Sequence, residues 1–141
     1  MAQIKSVRGF TLIEVMVVVL ILGVIAAIAI PAYTETVRKS NRADAKAELS
    51  SVAQRLQRCF TAYSAYDHDD CGVHAAITGG NEITSREQFY TITGAVTSTT
   101  YTITARPIPG TVQAGDTKCA NLTLTHTGLR DATGTHKDNC W

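Results

Sequence analysis

One carboxylate inside an apolar stretch has the clearest chemical implication in this sequence. Residues 10–30 are 21 predominantly apolar residues with a single ionisable side chain, that of Glu14. A carboxylate in a membrane-spanning segment costs a few kcal/mol to insert, so such a residue usually has a function. Alternatively, Glu14 lies near the membrane interface and its side chain reaches water. Position alone does not choose between these two interpretations.

The cysteines are the second set of residues with chemical potential. The sequence has four, Cys59, Cys71, Cys119 and Cys140, and all follow the apolar stretch. An even number on one side of a membrane segment predicts two disulfides in an oxidising compartment. None forms a CxxC pair, which argues against a structural zinc site or a thioredoxin-like redox site.

Other reactive patterns are weak. The Asp67–Asp70 run, with His68 and the nearby His74, contains metal-ligating side chains, but closely spaced ligands of this kind are common on solvated loops. We therefore predict no metal and no cofactor. The sequence contains no phosphate-binding loop, dinucleotide fingerprint or HExxH motif, and we predict that the chain is not an enzyme.

The net charge of +1 does not by itself indicate nucleic-acid binding. We expect the single tryptophan, Trp141, to be packed rather than to stack on a base.

The apolar stretch has the length of a membrane-spanning helix. As a helix, its 21 residues extend about 31 Å, which matches one hydrocarbon core. Residues 1–9 before it are basic, with Lys5 and Arg8 and no acid. A secretory signal peptide has a shorter apolar region and a cleavage site between small residues, which residues 28–31 do not offer. A plain signal anchor has the same composition and stays an alternative.

The helix is predicted to continue well beyond the apolar stretch. Apolar residues recur at helical spacing through Ala45, Leu49, Val52, Leu56, Phe60 and Tyr63. Charged and polar residues occupy the opposite face: Arg42, Lys46, Glu48, Gln54, Arg55 and Arg58. The pattern predicts one helix from about residue 10 to about residue 64, apolar all round in its first half and amphipathic in its second. Pro31 removes one backbone donor within this helix.

The rest of the chain predicts a small sheet. Residues 65–88 have the composition of a loop, and residues 89–93, 101–105 and 122–125 alternate apolar and polar side chains as strands do. Residues 128–141 are polar and turn-rich. The fold class is therefore α+β, with one long N-terminal helix packed on a small antiparallel sheet.

The motif around Glu14 resembles a known processing signal. A basic leader, Gly9-Phe10-Thr11-Leu12-Ile13-Glu14 and about twenty apolar residues ending at Pro31 are similar to the cleavage signature of type IV pilins and type II secretion pseudopilins. The resemblance implies that a prepilin peptidase cuts between Gly9 and Phe10 and then methylates the Phe10 amine. In a core of apolar helices Glu14 would be an unpaired charge, so we expect the Phe10 amine of a neighbouring subunit to pair with it and fix the axial register. In this family, the helix is kinked at the position of Pro31.

A second resemblance covers the C-terminal half. Residues 101–105, 119–124 and 128–130 and the ending Cys140-Trp141 resemble the minor pilins of the type IVa system, of the PilE-like group. The resemblance implies a pilin roll in which Cys119 pairs with Cys140 and links the C-terminal loop to a strand. The remaining pair would then be Cys59 and Cys71.

These resemblances set the expected organisation and function. We expect a cleaved leader at residues 1–9, a transmembrane and filament-core helix at residues 10–30, and a periplasmic or extracellular pilin domain at residues 31–141. The expected function is that of a structural subunit, a minor pilin in pilus biogenesis, twitching motility and adhesion. Its partners would be other pilin subunits, prepilin peptidase, the inner membrane and the pilus assembly machinery. The precursor would lie in the inner membrane of a Gram-negative bacterium and the mature chain in the extracellular pilus.

Two alternatives remain open. A type II secretion pseudopilin shares the N-terminal motif, although the disulfide-linked C-terminus argues against it. A DNA-binding pilin for natural transformation would need a basic stripe near the C-terminal loop. That half contains Arg106, Lys118, Arg130 and Lys137, offset by Asp116, Asp131 and Asp138, so the sequence does not indicate DNA binding.

Overall fold

The computed structural model describes residues 9–141, which form parts of two compact units divided after Thr36. Lys5, Arg8 and all but the last residue of the predicted leader lie outside the described residues. The two units are described separately below.

Helix α1 spans Leu12–Tyr63, close to the predicted bounds. Its N-terminus is a capping box, in which the Thr11 hydroxyl oxygen accepts a hydrogen bond from the Glu14 backbone N–H at 3.3 Å and a Glu14 carboxylate oxygen accepts one from the Thr11 N–H at 3.5 Å. The helix ends where Ser64 adopts a positive φ of 57°. Residues 23–31, which contain Gly23 and Pro31, are helical throughout.

The second unit, Val37–Trp141, contains a five-stranded antiparallel sheet whose strands follow the chain order. The strands are β1 Ile83–Thr84, β2 Tyr90–Val96, β3 Tyr101–Pro107, β4 Leu122–Thr125 and β5 Arg130–Ala132. A short helix, α2, spans Gly72–Ile77, and two 3-10 turns span Val112–Gly115 and Lys137–Asn139. The α+β fold predicted from the sequence is confirmed, with one long helix packed on an antiparallel sheet.

The sequence correctly predicted the three longer strands, but it missed α2, β1 and β5. The prediction that residues 65–88 are entirely loop was therefore wrong, whereas residues 128–141 are turn-rich as predicted, with one short strand among the turns. These elements have six, two and three residues, which is too short for a period of hydrophobicity to be detected.

The core of the second unit lies between α1 and one face of the sheet. Ala45, Leu49, Val52 and Leu56 of α1 are fully buried. Tyr90, Ile92, Tyr101 and Ile103 are buried on the sheet face, as their period of two predicts. The alternation of apolar and polar residues thus directs this face of β2 and β3 onto the core.

Both ends of the predicted apolar stripe on α1 need correction. Phe60 and Tyr63 are 36% and 42% exposed, and loop side chains cover them only in part: Phe60 stacks on Tyr66 and Tyr63 on His68. At the other end, Arg42 was predicted on the solvent face but is buried. Its spacing of three and seven residues from Ala45 and Leu49 places it on the buried stripe.

Two disulfides close loops in the second unit. Cys59 is bonded to Cys71 and Cys119 to Cys140, the pairing that the resemblance implies. Backbone hydrogen bonds also join the two sides of the second loop, from Gly134 N to Cys119 O at 3.0 Å and from His136 N to Lys118 O at 2.9 Å. A β-carbon at residue 134 would overlap the backbone of Lys118, so glycine is required for this close approach.

Candidate functional site

The processing motif lies at the start of the described chain. Gly9 and Phe10 precede α1 and are exposed, and the Glu14 carboxylate is exposed in the first helical turn. The large apolar side chains from Phe10 to Ile30 are between 49% and 84% exposed. α1 is long and apolar enough to cross a membrane. A surface this apolar is stable only against lipid or other apolar helices.

A buried ion pair lies on the other part of α1. Arg42 donates two hydrogen bonds to the Asp116 carboxylate, at 2.7 and 2.8 Å, and both side chains are almost completely buried. Gln113 Nε2 donates to Asp116 Oδ2 at 3.0 Å and to the Tyr90 hydroxyl at 2.6 Å, and the Cys119 N–H donates to Asp116 Oδ1 at 3.3 Å. The ion pair therefore fixes the loop before the second disulfide against α1.

The two charges determine the titration of this cluster. Burial by itself would raise the pKa of Asp116, but the hydrogen bonds and the charge of Arg42 outweigh it and hold that pKa below its ordinary value. Burial, with the nearby Asp116 carboxylate, raises the pKa of Tyr90, which stays neutral. Sequence reasoning missed this cluster, although the helical spacing of Arg42 with Ala45 was a detectable signal.

The charges of Lys39 and Arg130 both act on Lys46, and these three cationic side chains are called the basic cluster here. Lys39 and Lys46 are two turns apart on α1. Arg130 lies opposite the largely buried Leu124 in the register of β4 and β5, so it projects on the helix side of the sheet. Burial lowers the pKa of Lys46, and the charges of Arg42, Arg130 and Lys39 lower it further. Because these like charges repel one another, an anion bound among them would be stabilised.

Trp141 contacts one member of the basic cluster, Arg130. The guanidinium of Arg130 lies over the indole ring, 5.4 Å from its centroid. The indole N–H donates a 2.7 Å hydrogen bond to the Asp131 carbonyl oxygen on β5. Trp141 also packs against the core and follows Cys140 of the second disulfide. The expectation that this residue is packed is correct, and the packing partner includes a cation.

The structure separates the basic residues that the sequence grouped together. Arg106 is exposed among the outward residues of β3, on the face of the sheet opposite to Arg130. Lys137 lies 4.0 Å from Asp131, so part of the predicted charge offset is present. Asp116, in contrast, is buried in an ion pair with Arg42. Lys39 and Lys46 were not recognised as partners of Arg130, because only the fold brings these segments together.

Comparison with known proteins agrees with this architecture. The family model described as "Prokaryotic N-terminal methylation motif" matches residues 4–30. The non-core minor pilin PilV of Neisseria meningitidis has the same fold, with a TM-score of 0.55 and 22% identity over 71% of this chain and 90% of that one. An apolar N-terminal helix followed by this disulfide-linked α+β domain defines the class of type IV pilins.

A more specific match covers most of the second unit. The family model described as "Type IV minor pilin ComP, DNA uptake sequence receptor" matches residues 31–123, well over half of the 141 residues, and the chain belongs to this family. Relatives also match locally. The type IV major pilin protein PilA of Myxococcus xanthus is 41% identical over 59 residues, which are 42% of this chain and 27% of that protein.

The type IV major alpha-pilin of Moraxella bovis is 48% identical over 44 residues, which are 31% of this chain and 28% of that protein. The chain thus spans under a third of the length of these curated relatives.

Proposed function

We propose that this chain is a minor subunit of a type IV pilus, assembled through its N-terminal helix. The observation that supports this most directly is the exposed apolar surface of residues 10–30, with Glu14 as its one ionisable side chain. Prepilin peptidase would cut between Gly9 and Phe10 and methylate the new amine. The precursor would be held in the inner membrane of a Gram-negative bacterium, and the mature chain would join other pilins in the extracellular filament. The chain would thus be a substrate of enzymes rather than an enzyme.

The change in charge that cleavage would produce at the Phe10 nitrogen supports the proposed cleavage site. Before cleavage, the Phe10 nitrogen is part of a peptide bond and carries no charge. After cleavage it is a cationic amine, which can pair with Glu14 of a neighbouring subunit in the apolar core. Glu14 is held at the first turn of α1 by its capping box with Thr11, and Pro31 lies at the C-terminal end of the apolar segment.

Mass spectrometry of the mature N-terminus tests this proposal. We expect a methylated Phe10 at the N-terminus of assembled subunits. Replacement of Gly9 by a large residue should block cleavage, because access of the peptidase to the scissile bond requires a small side chain there. The matched control is Gly23→Ala, a small change elsewhere in the apolar segment with no neighbour within 4 Å. Assembled subunits that retain residues 1–9 would contradict the proposal.

We also propose that the globular domain binds double-stranded DNA as an uptake receptor. The family description supports this function, and so do the positive charges of Lys39, Lys46 and Arg130, which act on one another in the fold. Clustered lysine and arginine side chains bind phosphates and release counterions, which makes the affinity fall with salt.

Fluorescence anisotropy with labelled duplex DNA and the processed chain in a non-ionic detergent tests this second function. We expect salt-dependent binding, and Lys46→Gln and Arg130→Gln should each lower the salt slope by about one. Arg106→Gln removes an exposed cation from the opposite sheet face and should leave both affinity and slope unchanged. Equal losses from all three substitutions would point to non-specific attraction, and the absence of salt-dependent binding would exclude the receptor function.

A further inference from the structure

We propose that Trp141 is a positioning residue for DNA binding, which acts by holding the Arg130 guanidinium in its binding geometry. This inference rests on the proposed receptor function. Arg130 lies on β5, a strand of three residues at the edge of the sheet. A long side chain at such a position loses rotational freedom when it binds a phosphate, and a contact that fixes it beforehand lowers this cost.

The contact between Trp141 and Arg130 has the geometry of a cation–π pair. The 5.4 Å from the guanidinium to the ring centroid is within the distance at which this interaction is significant. A cation–π contact uses none of the N–H donors of a guanidinium, which stay available for a bidentate bond to a phosphate. The indole can thus hold Arg130 without competing for its donors.

The indole ring is itself held from two sides. Its N–H donates to the Asp131 carbonyl oxygen on the same strand that carries Arg130. Its backbone follows Cys140, whose disulfide to Cys119 and neighbouring backbone hydrogen bonds fix the C-terminal loop. The ring is therefore held through both its side chain and its backbone.

The charges near Arg130 do not by themselves explain the position of its guanidinium. Asp131 is adjacent to Arg130 in the chain, but its carboxylate lies 4.0 Å from the Lys137 ammonium and accepts a hydrogen bond from the Ala132 N–H. The described contacts of Arg130 that fix its direction are the strand register and the indole ring. The ring is thus the side chain whose removal should change the position of Arg130 most directly.

A double-mutant cycle on DNA binding tests this role. Trp141→Leu should weaken duplex DNA binding about two- to fivefold, the range expected for one exposed cation–π contact. It should also lower the salt slope, as Arg130→Gln does, since a displaced guanidinium no longer contacts a phosphate. The double variant should bind no more weakly than Arg130→Gln alone. Trp141→Phe keeps an aromatic face but loses the N–H donor, and it should restore part of the affinity.

A second measurement needs no DNA. Trp141 is the only tryptophan, so the tryptophan emission of the chain, excited selectively over that of the five tyrosines, comes from this ring. Arg130→Gln should change the emission of the free protein, because the cation over the ring is removed, whereas Arg106→Gln should not. Non-reducing peptide mapping should show that every variant retains the disulfide between Cys119 and Cys140.

The outcomes separate this inference from the receptor function. If the wild type binds DNA and Trp141→Leu binds with the same affinity and slope, the positioning role is wrong and the receptor function stands. Additive losses from Trp141→Leu and Arg130→Gln would also overturn the positioning role. A wild type that does not bind duplex DNA would overturn both proposals, and unchanged emission in Arg130→Gln would show that the stacked pair is not formed in solution.

Discussion

Residues 10–30 and residues 45–56 belong to the same helix, yet their apolar side chains have opposite exposures. In the first segment, large apolar residues such as Phe10 and Ile30 are 84% and 64% exposed. In the second, Leu49 and Leu56 are 0% exposed beneath the sheet. The first segment is apolar on all sides, whereas the second is apolar along one stripe.

This difference separates two uses of one secondary structure. A stripe can be buried by the sheet of the same chain, and its side chains therefore contribute to folding. A helix that is apolar all round needs partners on every side, which lipid or neighbouring helices can provide. Substitutions in residues 10–30 should therefore change assembly, and substitutions in or against the buried stripe should change the stability of the globular domain.

The largest effect is expected for Glu14→Val. The variant should insert in the membrane at least as well as the wild type, since a charge has been removed. Incorporation into filaments should be almost abolished, because under the proposed pairing the Phe10 amine of the neighbouring subunit loses its partner. The ratio of variant in sheared filaments to variant in membranes measures this, while thermal unfolding of the globular domain should be unchanged.

Glu14→Gln distinguishes the charge from the helix cap. Glutamine also completes a capping box with Thr11, so it preserves the local hydrogen bonds but not the negative charge. Incorporation as low as that of Glu14→Val would support charge pairing. Normal incorporation of Glu14→Gln would assign the role of Glu14 to the cap, and normal incorporation of both variants would show that the register is set elsewhere.

The next largest effect is expected for Asp116→Ala. This substitution removes the Asp116 carboxylate from the buried Arg42 guanidinium, which should lower the free energy of unfolding by about 3–5 kcal/mol. Removal of the exposed pair formed by Asp131 and Lys137, 57% and 60% exposed, should change it by less than about 1 kcal/mol. Urea unfolding at neutral pH of the wild type, of Asp116→Ala and of a variant without the exposed pair gives both changes in the free energy of unfolding.

The same cluster predicts a pH dependence. Because the pKa of Asp116 is lower in the folded chain, its contribution to stability is complete above the unfolded pKa of about 4 and is lost as the pH falls through the folded value. Wild-type stability should therefore decrease on acidification below about pH 4 by more than that of Asp116→Ala. Parallel pH profiles would show that the ion pair with Arg42 is not formed in solution.

An element of the fold could be predicted from the sequence when its hydrophobic pattern lies within the element itself. Helix α1 and strands β2, β3 and β4 were predictable because each has a hydrophobic period that repeats within the element itself. β5 was not, since Arg130 and Asp131 occupy two of its three positions. Its place in the sheet is set by pairing with β4 rather than by its own composition.

The candidate sites divide in the same way. The residues from Gly9 to Glu14 form one contiguous motif, so the sequence could indicate their function directly. The basic cluster joins α1 to β5 across more than 80 positions in the chain, from Lys46 to Arg130, and only tertiary packing brings these cations together. Burial of Asp116 likewise could not be inferred from net charge, which counts buried and exposed acids equally.

The smallest expected difference is between the two disulfides. Residues 10–30 contain no cysteine, so the loss of either bond should affect the globular domain and not the apolar segment. The disulfide of Cys119 and Cys140 spans 21 positions, and that of Cys59 and Cys71 spans 12. The chain-entropy model assigns roughly 3 kcal/mol to each, with a few tenths more for the longer loop. Cys140→Ser should therefore destabilise the globular domain somewhat more than Cys71→Ser, and it should also release Trp141 from its fixed backbone.

Both variants should still insert in the membrane, since the apolar segment does not depend on either bond. Thermal unfolding, with non-reducing peptide mapping to verify the remaining bond, measures the difference. A larger loss from Cys71→Ser would show that the link between α1 and its following loop, rather than the C-terminal loop, limits the stability of this domain.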